Sequence, residues 1–160
     1  MEDSKKERII MTIQWGLWWL FPFSTFVEQV KFTFLRPYGY LLLISGFMLF
    51  ILANKAHGST NKLKLSASPK PNNSAKLVTR GVYAYVRHPI YSSFIQISFG
   101  IAFLIGNLGS IAAAFLSLIF YDFKSRYEEK LLFKTYPDYH LYKRITGRFI
   151  PKTLKIHDPI

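Results

Sequence analysis

Cysteine is absent from the 160 residues. That excludes disulfides, thiolate zinc sites, a cysteine nucleophile and any lipid anchor carried on a thiol. Glu2 stands where N-myristoylation requires glycine. Acidic side chains are also scarce: 9 Asp and Glu face 21 Lys and Arg, for a formal net charge of +12. Charge of either sign is thin, at 19% of residues against roughly 25% in soluble domains. A nucleic-acid binder carries its basic charge on a mostly polar surface, so no nucleic-acid partner is expected. No metal site is expected either. What the chain has in abundance is apolar bulk, 50% hydrophobic and 18% aromatic, far too much for disorder. The composition describes a small integral membrane protein.

A spanning helix needs about 20 mostly apolar residues, and four segments approach that length. The first is 9–27, with Trp15, Trp18, Trp19, Phe21, Phe23 and Phe26; Pro22 is expected to kink it or to end its first part. The second is 35–53, around Leu41-Leu42-Leu43-Ile44, ending before Asn54. The third is 89–105 and the fourth 108–121, parted only by the breaker cluster Gly106-Asn107-Leu108-Gly109. Such a cluster reads as a tight turn between antiparallel helices; one long buried helix over 94–121 is the alternative. The tryptophans read as an interfacial belt or as helix packing. No signal-peptide processing is expected, for lack of a small-residue cleavage site. The expected fold is therefore all-α, a membrane protein of about four transmembrane helices in a single domain. A helical hairpin and a C-terminal segment at 122–160 would complete its working end.

Orientation follows from basic residues. The 54–88 loop holds Lys55, Lys62, Lys64, Lys70, Lys76, Arg80 and Arg87 with no acid. The C-terminal stretch from Lys124 holds nine Lys or Arg, the first eight residues hold three, and the 106–109 turn holds none. Counting positive charge places both termini and the 54–88 loop in the cytoplasm, and four crossings satisfy that parity. Within the loop, Ser66 to Ser74 reads as a linker.

Chemistry-bearing residues gather at the cytoplasmic ends of the third and fourth helices. Arg87-His88-Pro89 opens the third, with proline in the first turn, where a missing N–H costs nothing. Helix amides at such a start attract an anion. The fourth helix carries Glu128-Glu129, and an antiparallel hairpin returns that pair to His88. An anion site, carboxylates and tyrosine faces together suit a zwitterion with a cationic centre.

Gly81-x-Tyr83, Arg87-His88-Pro89-x-Tyr91, Glu128-Glu129-x-x-Leu132, Tyr136-Pro137-x-Tyr139-x-x-Tyr142 and Arg148-x-x-Pro151 occur in that order. Together they resemble the isoprenylcysteine carboxyl methyltransferase and phospholipid methyltransferase superfamily of integral membrane enzymes, over about 77–151. The chain departs from the common pattern at Ser93, where many members have glycine, and at Tyr136-Pro137, where many read Phe-Gly. The resemblance implies an S-adenosyl-L-methionine-dependent methyltransferase whose cofactor pocket faces the cytoplasm, with a lateral opening for a lipophilic or lipidated acceptor. It assigns Arg87, His88, Tyr91, Glu128 and Glu129 to the cofactor, with Tyr83, Tyr139 and Tyr142 as walls. Arg144 and Arg148 become candidates for holding an acidic acceptor; with Lys143 they also suit anionic membrane lipids. A carboxylate acceptor needs a positioning cation such as Arg144, whereas an amine acceptor needs a base such as Glu129 or His88. Glu129 and Arg144 are thus the candidate catalytic residues. The alternatives are phospholipid amine methylation, a sterol-reductase-like enzyme using NADPH, and a non-enzymatic basic membrane anchor.

Overall fold

In a computed structural model, which describes residues 2–27, 31–61 and 76–152, the regular elements among the described residues are all helices. Helix α1 covers Glu2–Val27, α2 Arg36–Asn61, α3 Pro89–Ile105, α4 Leu108–Thr135 and α5 Tyr139–Ile145. Single 3-10 turns at Thr33–Leu35 and Gly81–Ala84 lead into α2 and towards α3. The Ser66 to Ser74 linker and the end of the C-terminal segment, 153–160, lie outside the described residues.

The third helix keeps the boundaries read from sequence. It stops because Gly106 takes a left-handed conformation, φ 74°, open to glycine at little cost. Asn107 then caps α4: its side chain accepts from Ser110 N at 2.7 Å and donates through Nδ2 to Ser24 O at 2.9 Å. Ser110 Oγ closes the hairpin onto Ala102 O at 3.0 Å. The hairpin is therefore real, and the single long helix over 94–121 is not formed.

The other boundaries are longer than expected. Helix α1 starts earlier, at Glu2, and runs through Pro22 to the expected end at Val27, with Ser24 and Thr25 turning their hydroxyls onto the carbonyls of Phe21 and Pro22, each at 2.7 Å. Helix α2 continues through Asn54 to Asn61, so the first part of the expected 54–88 loop is helix. Asn54 Nδ2 bonds back to Phe50 O at 2.8 Å, and Ser59 and Thr60 bond back to Ala56 O. Polar side chains that satisfy helix carbonyls do not stop a helix. Helix α4 carries on beyond Tyr121 for about four further turns, through Glu128-Glu129 as expected, and ends at Thr135.

Packing explains where the helices lie. Gly46 and Gly100 bring α2 and α3 together: a Cβ on Gly46 would fall 2.9 Å from Ile97, and one on Gly100 2.8 Å from Leu43. Ser45 Oγ bonds Gln96 Oε1 at 2.7 Å across the same seam. Helix α1 buries Ile10, Gln14, Phe21 and Ser24, one face at helical spacing, and meets α4 at both ends. The opposite face of α2 exposes Tyr40, Leu41, Ile44, Phe47, Met48 and Ile51. A broad apolar surface of this kind is the mark of a lipid or partner contact, not of a water-facing helix. Among the described residues two helices, Thr33–Thr60 and Leu108–Thr135, are long and apolar enough to cross a membrane, and Pro89–Ile105 is a shorter apolar helix.

Candidate active site

Tight turning at 106–107 makes α3 and α4 antiparallel, which brings the start of α3 beside the polar end of α4. Glu129, 3% exposed, is the hub. Its Oε1 accepts from Arg87 Nε at 3.0 Å and lies 3.4 Å from both Arg148 Nε and His88 Nε2, while Oε2 lies 2.9 Å from Lys143 Nζ. A buried carboxylate is tolerable only with such partners. Arg87 spends its other nitrogens within the chain: Nη1 donates to Thr146 O, and to Lys143 O at 3.2 Å. The guanidinium therefore ties the C-terminal segment to α4 instead of standing open to an anion.

The backbone makes the same tie. Val86 and Gly147 form a parallel bridge, with Arg87 N donating to Gly147 O at 2.8 Å and His88 N to Arg148 O at 3.1 Å. Ser92 Oγ reaches Phe149 O at 2.7 Å. The strap 146–149 thus lies over the entrance to α3, and Gly147 is required there, because a Cβ would fall 1.7 Å from Ile150 O. Arg148 also pairs with Asp122 Oδ1 at 2.6 Å, fixing the strap to a second acid on α4.

Glu128 faces a different wall. Tyr91 Oη donates to Glu128 Oε1, and His88 Nδ1 lies 3.6 Å from Glu128 Oε2. The His88 ring stacks on Tyr91 at 5.5 Å between centroids, and Tyr91 stacks on Tyr121 at 5.2 Å. Burial holds the His88 imidazole below its ordinary pKa, against the opposing pull of Glu129. Burial likewise raises the phenols of Tyr83, Tyr139 and Tyr142, so all three remain donors. Tyr142 Oη uses its proton on Tyr83 O at 2.7 Å.

Two buried polar atoms have no hydrogen-bond partner among the described residues of this cluster: His88 Nε2 and Tyr139 Oη. The 3.4 Å separation of His88 Nε2 from Glu129 lacks the alignment of a bond. Orphaned buried groups are rare and call for an explanation. A small polar ligand supplying a donor or acceptor to each is the direct one, and a zwitterionic nucleoside with a cationic centre fits that requirement beside carboxylates and tyrosine rings.

Most residues singled out from sequence meet here: Tyr83, Arg87, His88, Tyr91, Glu128, Glu129, Tyr139, Tyr142 and Arg148. Arg144 does not join the buried group; its side chain is exposed on α5. Sequence reasoning missed Thr146 and Gly147, and it took Lys143 only as a lipid-facing charge. It also missed Lys124, which is buried at 1% exposure and donates to Gln14 Oε1 of α1 at 2.6 Å. Lys124 sits one helical turn before Glu128, and that spacing was the available signal.

Three comparisons bear on this arrangement. A family model described as phospholipid methyltransferase matches residues 35–139. A protein-S-isoprenylcysteine O-methyltransferase of Schizosaccharomyces pombe is 36% identical over 86 residues, 51% of this chain and 36% of that protein. A solved structure of the eukaryotic intramembrane Ras methyltransferase ICMT (isoprenylcysteine carboxyl methyltransferase) superposes with TM-score 0.65 at 26% identity. It covers 92% of this chain and 53% of the solved one. The chain thus spans about half the length of that structure, or less in the case of the yeast relative.

Proposed function

Since the chain belongs to the phospholipid methyltransferase family, we propose that it is a membrane-embedded methyltransferase. In this reading S-adenosyl-L-methionine is the donor and a lipophilic molecule, possessing an isoprenylcysteine-like carboxylate, is the acceptor. The observation that carries the reading is the meeting of Arg87-His88 with Glu128-Glu129 at one end of the hairpin, with His88 Nε2 and Tyr139 Oη left for a ligand. Likeness to an isoprenylcysteine methyltransferase in sequence and in fold supports the acceptor class.

When bound, the donor supplies an electrophilic methyl group on a sulfonium. The chain's own residues bind and orient it. His88 Nε2 and Tyr139 Oη offer hydrogen bonds, Glu128 and the Tyr91 ring face its positive charge, and Tyr83 and Tyr142 form the wall behind. Glu129 acts at one remove, holding Arg87, Lys143 and Arg148 so that the strap covers the site. Covering excludes water that would compete with the acceptor, and a fixed alignment replaces a bimolecular encounter. Arg144, exposed beside the strap, is placed for an acceptor or an anionic lipid headgroup. The helices are proposed to cross the membrane four times, at 9–27, 35–53, 89–105 and 108–121, with the site and both termini in the cytoplasm. That topology agrees with the excess of basic residues in 54–88 and after Lys124.

The test is product identification. Purified protein is incubated with methyl-labelled adenosylmethionine and a membrane extract, and the lipid-soluble fraction is read by mass spectrometry. A labelled lipophilic ester is the expected product. No label transferred by folded protein, together with saturable NADPH binding, overturns the reading in favour of a reductase.

A further inference from the structure

Glu128 meets the donor's positive charge in the reading above, yet its own charge is not secure. Burial pushes its carboxyl up to about 7, against the opposing pull of the Tyr91 hydroxyl and the Lys124 ammonium. A protonated acid offers a cation far less than a carboxylate does. Glu129 escapes the difficulty because Arg87, Lys143 and Arg148 surround it. Around Glu128 the company is different: Tyr91 of α3 donates to Oε1, and His88 Nδ1, at the entrance to α3, lies 3.6 Å from Oε2. Burial holds that imidazole neutral. Tyr83 of the 3-10 turn and Tyr139 of α5 feel the carboxylate only as phenols that stay protonated. Lys124, one helical turn earlier on α4, is the cation that favours ionisation. It is 1% exposed; its Nζ bonds Gln14 Oε1 of α1 at 2.6 Å and lies 5.2 Å from the centroid of the Tyr91 ring. The ring whose hydroxyl holds Glu128 is thus also the ring against which the ammonium rests. Burial holds the Lys124 ammonium below its usual range and Glu128 pulls it back up, so each group keeps the other charged.

We propose that Lys124 is a positioning residue for the donor: pinned by Gln14 of α1, its ammonium keeps Glu128 ionised, so that the sulfonium meets a carboxylate and not a neutral acid. It acts through Glu128 and does not touch the donor. This rests on the methyltransferase reading and deepens it. Gln14 lies outside the residues 35–139 that match the family, so α1 joins the site as a helix which that match does not cover. The consequence is a pH dependence of definite sign. The carboxylate forms as pH rises, so donor affinity is complete above the Glu128 titration and declines as pH falls through it. Without Lys124 that titration moves up, and a donor binding near neutral pH has to expel a proton from Glu128. The loss therefore appears at neutral pH and is recovered in alkali. A lysine needed only for packing would cost the same affinity at every pH.

The experiment titrates the full chain in detergent with S-adenosylmethionine and with S-adenosylhomocysteine, by calorimetry, between about pH 6.5 and 9, a window in which His88 stays uncharged. Each variant is read as a ratio to the wild type at the same pH, which cancels titration of the ligand itself. Lys124→Met should lose about tenfold in adenosylmethionine affinity at neutral pH, narrowing to about twofold or less at the alkaline end. It should lose less for adenosylhomocysteine, which lacks the sulfonium. Lys124→Arg should follow the wild type, and Glu128→Gln should bind adenosylmethionine weakly with no alkaline recovery. Gln14→Leu, which keeps the lysine and removes its anchor, should show the same recovery on a smaller scale; it decides the matter if Lys124→Met fails to fold. A loss in Lys124→Met or Gln14→Leu that is absent or equal at every pH, or a Lys124→Arg that behaves as Lys124→Met, overturns the proposal and leaves the methyltransferase reading standing. A folded wild type that binds neither ligand removes both.

Discussion

Arg87 Nε lies 3.0 Å from Glu129 Oε1, although 42 positions separate the two residues. The contact joins the residue before α3 to the polar end of α4, and Lys143 and Arg148 of the C-terminal segment converge on the same carboxylate. Removing its charge leaves three cations without their shared partner. Glu129→Gln should therefore destabilise the protein by about 3–5 kcal/mol, the cost of breaking a buried ion pair. Glu128→Gln keeps that hub and loses one hydrogen-bonded contact, worth about 1 kcal/mol, yet it should weaken donor binding. Thermal melting and calorimetry on the two variants separate the structural acid from the ligand-facing one.

The strap depends on a residue with no side chain. A Cβ at Gly147 would lie 1.7 Å from Ile150 O, so Gly147→Ala must move the strap or the backbone beyond it. We expect faster proteolysis after α5 and at least a tenfold loss of donor affinity, on the order of 1.4 kcal/mol. An alanine variant with native protease resistance and affinity would show that the strap does not cover the site.

Burial keeps the His88 imidazole neutral below its ordinary pKa of 6.5. The unfolded chain takes up a proton there as pH falls through 6.5, and the folded chain resists until lower pH. Stability from this group is thus complete above pH 6.5 and declines as the solution is acidified below it. Buried Glu128, raised to about 7, titrates in the opposite sense over the same range, so the His88 contribution is read as a difference. Between pH 7.5 and 5.5 acidification should cost the wild type more melting temperature than it costs His88→Asn. Equal slopes would place the titration elsewhere.

The hairpin and its returning acids were legible in the sequence because each rests on a local rule. Gly106-Asn107 favours a turn, Pro89 suits a helix start, and a spacing set by two antiparallel helices brings Glu128 and Glu129 back to His88. What was not legible depends on packing across distant segments. Nothing in Lys143 or Thr146 distinguishes them locally from a solvated basic tail; only the parallel bridge of Val86 with Gly147 turns them inward. Arg144, a candidate through the resemblance and its charge, stands exposed on α5 outside the buried cluster. The end of the second helix, expected before Asn54, was misjudged because amide and hydroxyl side chains there bond back to helix carbonyls and let the helix run on.

Glycine offers a further check, since its two packing situations are opposite. Gly46 lies within the α2–α3 seam, where a Cβ would fall 2.9 Å from Ile97 Cγ1, while nothing lies within 4 Å of a Cβ on Gly16 of α1. Gly46→Ala should destabilise by about 1–3 kcal/mol through overpacking. Gly16→Ala should be neutral or stabilise by about 0.5–1 kcal/mol, through helix preference alone. Unfolding in detergent with graded denaturant measures both, and reversed signs would contradict the helix arrangement.

The most direct test is titration calorimetry of the purified protein in detergent with S-adenosylhomocysteine. The account predicts saturable binding to the wild type, abolished in His88→Ala and weakened in Glu128→Gln. Folded wild type that gives no binding heat, or both variants binding as tightly as the wild type, would contradict it.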